Sequence, residues 1–412
     1  MGRNKKFTVR RVLRNIRRGL LFYCQNCSIH GLKYIAEPDR HWAERLFWII
    51  VCLFSIYSTR NLVISNWRAF QSNAVSFVSD TSYLTWDTDF VTVSVCEAES
   101  LDKIDMEGQR LFGETRNTYL DGLISSLAFF DGNCRTCISQ CSTGELNCSI
   151  IDIETIVKEV RTPCEKLMGN CFWSGTEFEC CDEFLPLQTE LGTCFTINSI
   201  HTNRPKGTKL KMTSNRTKGP GKLTFEVSEA ANIFLHGRDD VPFINHPQEA
   251  KVSIDWGSVL RISFQVKEIV NDPILDQVSI EQRRCRMEHE NNLEVYKFYS
   301  FSTCVVNCRA YAQRDLCNCT QHFMPPLRGV ATCDIHGLEC LTKNSVILLG
   351  LKSENYSKEG LECHCMPSCS ESEITMVSTS ITLNSDVQDE SAFGSKLLLK
   401  WRLCRPRDIN VT

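Results

Sequence analysis

The chain has 412 residues, a formal net charge of −3 and 24 cysteines. It is long enough for several subdomains, and its cysteine content excludes an ordinary cytosolic fold. The charge is uneven: residues 1–45 hold 11 Lys/Arg against 3 Asp/Glu, a surplus of +8, so the remainder carries −11.

A basic N-terminus ahead of an apolar segment suits nucleic acid, a signal peptide or the cytoplasmic flank of a membrane helix, and the neighbouring residues select the third. Cys24-Gln25-Asn26-Cys27 has redox spacing but no thioredoxin-like strand pattern around it, so it reads as two cytosolic thiols. Leu46 to Tyr57, LFWIIVCLFSIY, carries no charge, and with its flanks Glu44 to Ser65 reaches about the 20 residues that a spanning helix needs. Arg60 sits near the outer end, where it can snorkel, and Trp42, Trp48 and Trp67 suit interfacial belts. Arg40, Arg45 and the eight Lys/Arg of the first 18 residues set the N-terminus inside. A cleaved signal peptide fits less well, because no A-x-A-like site succeeds the apolar run. The expected division is a cytoplasmic segment over 1–43, a membrane helix over 44–65, a cysteine-rich extracellular domain over 66–383, and a divergent tail over 384–412.

Beyond the membrane, residues 68–95 read as short strands ending at Cys96, residues 97–133 as more helical, and Ile151 to Val160 as a short amphipathic helix. Residues 201–222 form a polar loop with seven Lys/Arg and no acid. Val252-Ile254-Trp256, Gly257-Ser258 and Leu260-Ile262-Phe264-Val266 alternate on both sides of a tight turn, a hairpin signal. Residues 300–313 read as a helix and 372–384 as a weak final strand. Five sequons, at Asn147, Asn215, Asn318, Asn355 and Asn410, share the cysteine-rich region and point with it to the secretory pathway.

Ten cysteines cluster between Cys285 and Cys369. Cys304 and Cys308 share a helix face about 6 Å apart along the axis. Cys363 and Cys365 share a face of a strand about 6.6 Å apart. A helix and a strand so spaced can be joined by two stacked disulfides. Zinc at Cys363-His364-Cys365 with the same helix is the weaker alternative in an oxidising compartment. No H-E-x-x-H, G-x-S-x-G or G-x-x-x-x-G-K-[ST] occurs, so no enzyme, metal site or cofactor is expected.

Several segments resemble the degenerin/epithelial sodium channel family. They are Ser28-Ile29-His30-Gly31-Leu32-Lys33-Tyr34-Ile35 and Glu44-Arg45-Leu46-Phe47-Trp48, Leu191-Gly192-Thr193-Cys194-Phe195-Thr196-Ile197-Asn198, Cys304-x3-Cys308-Arg309, Cys317-x-Cys319, His322-Phe323-Met324-Pro325 and Cys363-x-Cys365-Met366-Pro367-Ser368-Cys369. A cysteine-rich insert and the His322-Phe323-Met324-Pro325 wording are most similar to the insect pickpocket branch. The resemblance implies a membrane-anchored α+β subunit with one N-terminal transmembrane helix. A large disulfide-rich extracellular domain would succeed it, hand-like, with a central β-core and peripheral helices. It implies a homo- or hetero-trimer at the plasma membrane passing sodium ions, with His30 and Gly31 in a gating motif near the inner pore mouth and no nucleic-acid partner. The implied bridges join Cys96 to Cys194, Cys171 to Cys180, Cys285 to Cys369, Cys304 to Cys365, Cys308 to Cys363, Cys317 to Cys340, and Cys319 to Cys333. Cys134, Cys137, Cys141, Cys148, Cys164 and Cys181 suffice for three more of open connectivity, and Cys404 is odd.

The family's second membrane helix and its G-x-S filter have no counterpart in residues 391–412, which are polar and basic. A permeant ion needs a polar lining to replace part of its hydration shell. Three readings are open: a sodium channel subunit represented here without its pore helix, a single-pass subunit that modulates other channels, or a cell-surface recognition ectodomain with no channel role.

Overall fold

The computed structural model describes residues 3–29, 31–72, 87–113, 116–134, 136, 152–202, 210–215, 217–352, 359–383 and 395–401. They form two compact units, Met1–Phe77 with Gln277–Arg283, and Val78–Asp276 with Arg284–Thr412.

The first unit is helical: α1 (Arg3–Asn26), α2 (Leu32–Ala36) and α3 (Trp42–Ser72). α3 has 31 residues and no Pro or Gly to stop it. At about 1.5 Å per residue it is about 46 Å long, against about 30 Å of hydrocarbon. The helix therefore starts before the segment 44–65 and runs past it, through part of the stretch expected to be short strands. The most apolar 18-residue stretch within Trp42–Gln71 has a mean hydropathy of 1.6, and none of it is buried in the described structure.

The second unit is built on two sheets. One is antiparallel, in the order Lys251–Ile254, Ala231–His236, Thr92–Glu97, Gly192–Ile197, Leu185–Thr189. The other runs Ser372–Leu383, Ser258–Glu268, Ser395–Trp401, Lys222–Val227, Met168–Trp173, Thr176–Phe178. Alternation directs the packing. Val93, Val95, Ile233 and Leu235 of the first sheet and Leu223, Phe225, Leu260, Ile262 and Phe264 of the second share one core. Cys96 points to the opposite face and packs with Cys194 and Phe234. The Thr92–Glu97 strand is thus buried on both sides, as befits a central strand.

One expectation is corrected here. The alternating segments around Gly257 do not pair as a hairpin. Lys251–Ile254 pairs with the Ala231–His236 strand, whereas Ser258–Glu268 pairs with Ser372–Leu383 in the other sheet. Alternation says which side chains face a core, not which backbone takes up the hydrogen bonds. Gly257, at φ 75°, turns the chain from one sheet to the other. The divergent tail also contributes a strand. Ser395–Trp401 is a strand, parallel to Ser258–Glu268 and antiparallel to Lys222–Val227. A ladder is made of backbone groups, so a segment with weak alternation still pairs where two strands offer unpaired N–H and C=O rows.

Helices Leu101–Phe112, Thr118–Ala128 and Ile153–Val160 form a second core with Phe323, Ile335, Leu338 and Leu341. Asn117 caps one of them through Leu120 N, and Asp152 another through Glu154 N and Thr155 N. The long helix Phe301–Cys317 begins at a capping box formed by Ser300 and Thr303.

Disulfides tie these layers. Cys96 is bonded to Cys194, Cys171 to Cys180, Cys285 to Cys369, Cys304 to Cys365, Cys308 to Cys363, Cys317 to Cys340, and Cys319 to Cys333. Cys164, to which the sequence assigns no partner, is bonded to Cys181. Cys134 is also disulfide-bonded; Cys137, Cys141, Cys148 and Cys404 lie outside the described residues. The Cys304 and Cys308 bridges have Cα separations of 5.8 and 5.9 Å, two near-identical rungs on one helix face. Their partners are not on a strand, which corrects the expectation from spacing. Residues 362–367 are irregular, and Cys365 N donates to Cys363 O at 2.8 Å. The rungs hold that segment in place of a ladder.

With one rung intact the other closes only a small ring, so its loss is expected to cost about 2 kcal/mol. Losing both reopens a long loop and is expected to cost about three times as much. Thermal unfolding of Cys304→Ser/Cys365→Ser, Cys308→Ser/Cys363→Ser and the quadruple variant checks this. Purely additive halves would count against two rungs acting as one staple.

Candidate functional site

In the membrane unit, α2 is held against the start of α3. Gly31 precedes α2 at φ 98°, a conformation that side chains resist. It also leaves no room: a Cβ there would lie 2.8 Å from Cys52 Sγ and 3.1 Å from Trp48 Cε3. Trp48 stacks on Tyr34, with centroids 4.8 Å apart, and the Arg40 guanidinium lies over the Tyr34 ring at 5.2 Å. Arg40 bridges Glu37 at 2.9 Å and Glu44 at 2.7 Å, while Arg45 donates to Glu37 O and Pro38 O at 2.7 and 2.6 Å. The chain between α2 and α3 is therefore fixed by charge and ring contacts, and Gly31 is the residue small enough to let it close. His30 lies outside the described residues. Cys24 and Cys27 carry free thiols.

In the other unit the Phe301–Cys317 helix is fastened on two faces. One carries the disulfide rungs. The other carries Val305, Val306 and Ala310, packed on Leu187, Val241 and Phe243, and the guanidinium of Arg309, which is fully buried. Arg309 pairs with Glu190, itself fully buried in the turn between two strands of the antiparallel sheet. Arg309 Nε donates to Leu348 O at 2.8 Å, and Nη2 donates to Asn245. Glu190 also accepts from Ile244 N at 2.5 Å. At the helix start Ser302 Oγ donates to Asp240 Oδ1 at 2.7 Å and accepts from Val241 N at 3.0 Å. The sequence offers one signal for this pair: Arg309 is the only charge between Phe301 and Gln313. Nothing in the sequence singles out Glu190.

A second, half-buried arginine meets the same turn. Arg161 donates to Leu191 O at 2.9 Å and to Ala128 O at 2.7 Å, and lies over the rings of Phe129 and Phe323. Burial lowers its pKa to about 10. His322 Nε2 donates to Leu127 O at 2.8 Å, and burial pushes that histidine down to about 4. Burial also lowers His236 and His246 to about 4. Ser94 Oγ is 2.8 Å from His236 Nε2, and Gly237 O is 2.8 Å from Nδ1, so Nδ1 carries the proton and Nε2 accepts from the serine. Asp239 is shifted the other way, held protonated by burial and by Asp240.

Of the sequons, Asn318 is exposed at the left-handed end of the long helix. Asn215 is half-buried and engaged, donating to Asp87 Oδ1 at 2.6 Å and accepting from Thr217 N at 2.9 Å. Asn147, Asn355 and Asn410 lie outside the described residues. Cys304, Cys308, Cys363 and Cys365 are all in disulfides, so the zinc alternative has no thiolates to use.

Among the described residues, one apolar helix of membrane-spanning length and a disulfide-stapled α+β unit define a membrane-anchored protein. The chain belongs to the amiloride-sensitive sodium channel family, whose sequence model matches residues 23–403. Pickpocket protein 28 of Drosophila melanogaster is 24% identical over 411 residues, covering 86% of this chain and 63% of that protein. Sodium channel protein Nach of Drosophila ananassae is 20% identical, covering 90% of this chain and 74% of that one. Pickpocket protein 19 of Drosophila melanogaster is 22% identical, covering 86% and 77%. The chain thus spans less than two thirds of the length of Pickpocket protein 28.

Removing one member of a buried ion pair strands the other charge. Arg309→Met is expected to cost about 3–5 kcal/mol, and Arg309→Met with Glu190→Leu clearly less. Chemical unfolding of the two variants decides, and equal losses would show that the pair is not coupled. The three histidines give a pH dependence. Their folded pKa values lie below the ordinary 6.5, so their stabilisation is present above about pH 6.5 and is lost as pH falls toward about 4. Asp239 opposes this in part. The unfolding midpoint should fall on acidification through that window, and His322→Gln should flatten the slope.

Proposed function

We propose that this chain is a subunit of a stimulus-gated, amiloride-sensitive-type sodium channel in the plasma membrane. In this reading the N-terminus is cytoplasmic and the disulfide-rich unit extracellular. Subunits assemble as a homo- or hetero-trimer, and His30 and Gly31 belong to the gating segment. The observation that carries it is the Gly31 turn, closed against Trp48 and Cys52 of the membrane helix in a chain of this family. A turn that tolerates no Cβ passes any displacement directly to the helix it touches. The extracellular part supports the same reading. A stimulus biases a gate only through a free-energy difference between two states, and a helix held by two disulfides and a buried ion pair does not dissipate that difference in its own bending.

A second reading is a regulatory subunit that joins channels and alters their current. The composition of α3 favours it: Leu46–Tyr57 carries no charge and offers a permeant ion little polar lining.

The test is expression in oocytes, alone and with a conducting subunit of the family. Amiloride-sensitive sodium current from the chain alone supports the first reading, and a changed current on co-expression supports the second. No current and no effect on a partner at normal surface levels would refute both. Gly31→Ala is expected to cost about 1–3 kcal/mol at the turn, and so to change the current several-fold with surface biotinylation unaltered.

A further inference from the structure

Among the described residues, the N-terminal helix carries large apolar side chains that stand exposed. α1 spans 24 residues, Arg3–Asn26. Within it are eight Lys/Arg and no Asp or Glu. At 100° per residue, Val9, Val12, Leu13, Ile16, Leu20 and Tyr23 fall within one stripe about 100° wide. Arg3, Arg10, Arg11, Arg14, Arg17 and Arg18 fall outside the stripe; Lys5 lies within it, Lys6 beside it, and Phe7, Leu21 and Phe22 fall among the arginines. Within the stripe Ile16, Leu20 and Tyr23 are 52%, 59% and 59% exposed. A polar solvent does not explain an exposed apolar stripe with a basic back. α1 also belongs to the same compact unit as α3, whose apolar length marks where the bilayer is.

We propose that α1 lies in the plane of the membrane surface, its apolar stripe in the acyl boundary and its arginines on anionic phospholipid headgroups. Length, segregation of charge and absence of acidic residues match an interfacial helix. Each Lys/Arg near an anionic leaflet adds to the attraction. The apolar stripe then needs no protein partner, because lipid supplies one continuous with the surface around α3. The headgroups are those of the membrane the chain already crosses, so the ligand is local and the docking intramolecular. On the cytoplasmic side this would make α1 a lipid-dependent anchor ahead of the Gly31 turn, a placement that rests on the orientation proposed above.

The test uses the full chain in proteoliposomes, with an environment-sensitive fluorescent amino acid at Ile16 on the stripe or at Arg14 on the basic side. Vesicles are phosphatidylcholine alone or with about a third phosphatidylserine, each with or without acyl-chain bromination. The expected result is at least three-fold stronger bromine quenching at position 16 than at 14 in the anionic vesicles. That contrast should fall at least two-fold in phosphatidylcholine alone, and likewise in a variant with Arg10, Arg17 and Arg18 changed to Gln. Equal quenching at the two positions, or a contrast indifferent to phosphatidylserine, would overturn the proposal. So would a stripe shielded from bromine by a co-purifying acidic protein. Symmetric vesicles make the readout independent of orientation and of any current, so its failure is distinguishable from failure of the channel reading.

Discussion

Glu190 and Arg309 are both out of reach of water, and the placement of the long helix depends on that fact. Removing two charges from solvent costs several kcal/mol for each. The pair is therefore tolerable only where every remaining donor and acceptor is filled, as it is here by Leu348 O, Asn245 and Ile244 N. Such a pair is poor evidence for stability but strict about position. Sliding the helix by one turn, about 5.4 Å, would leave both charges unpaired and draw Cys304 and Cys308 away from Cys365 and Cys363. One covalent and one electrostatic constraint, on different faces of the helix, set the same register.

Glu190 can do this because its own turn is held. Gly192, at φ 107°, closes the turn where a Cβ would strike Arg161 at 2.7 Å. Thr189 Oγ1 donates to Gly192 O at 2.8 Å. Arg161 reaches the turn from the Ile153–Val160 side and Arg309 from the other, so residues 189–192 are gripped by two arginines, one fully buried and one half-buried. The antiparallel sheet ends there, and the helical core and the stapled helix both meet it. The turn is a hub because backbone carbonyls and one carboxylate supply what two guanidiniums need, not because its own sequence is apolar.

These constraints differ in how plainly the residues announce them. The spacing of Cys304 with Cys308 foretells two rungs on one helix face, because the period of a helix and the reach of a disulfide are both narrow, whereas the strand expected for Cys363 and Cys365 is not formed. The long helix and the Ser372–Leu383 strand are legible from periodicity for the same reason. Pairing across the sheets is not. The alternation around Gly257 looks the same whether the two strands join each other or join separate sheets, since the choice is made by distant edges. Ser395–Trp401 is hidden likewise, being a strand by virtue of its neighbours' hydrogen bonds. The partner of Arg309 lies 119 residues away, and no local pattern reaches that far. Arg309 alone, a single charge in an otherwise uncharged helical stretch, is the visible half.

The membrane unit rests on different physics. There are no disulfides among its described helices to fix α1, α2 and α3 to one another; the fit is made by a glycine without a Cβ, an aromatic stack and short-range charge pairs. Such contacts are individually weak, of the order of 0.5–1.5 kcal/mol for a ring pair, and so can be made and broken at little cost. That is the behaviour a moving part requires, whereas the Arg309–Glu190 pair and the rungs have the behaviour of a frame. A gate assembled from the strong kind would be locked, and a lever assembled from the weak kind would bend under its own load. The channel reading proposed above draws on this division between a covalently fastened unit and a helical one held by weak contacts.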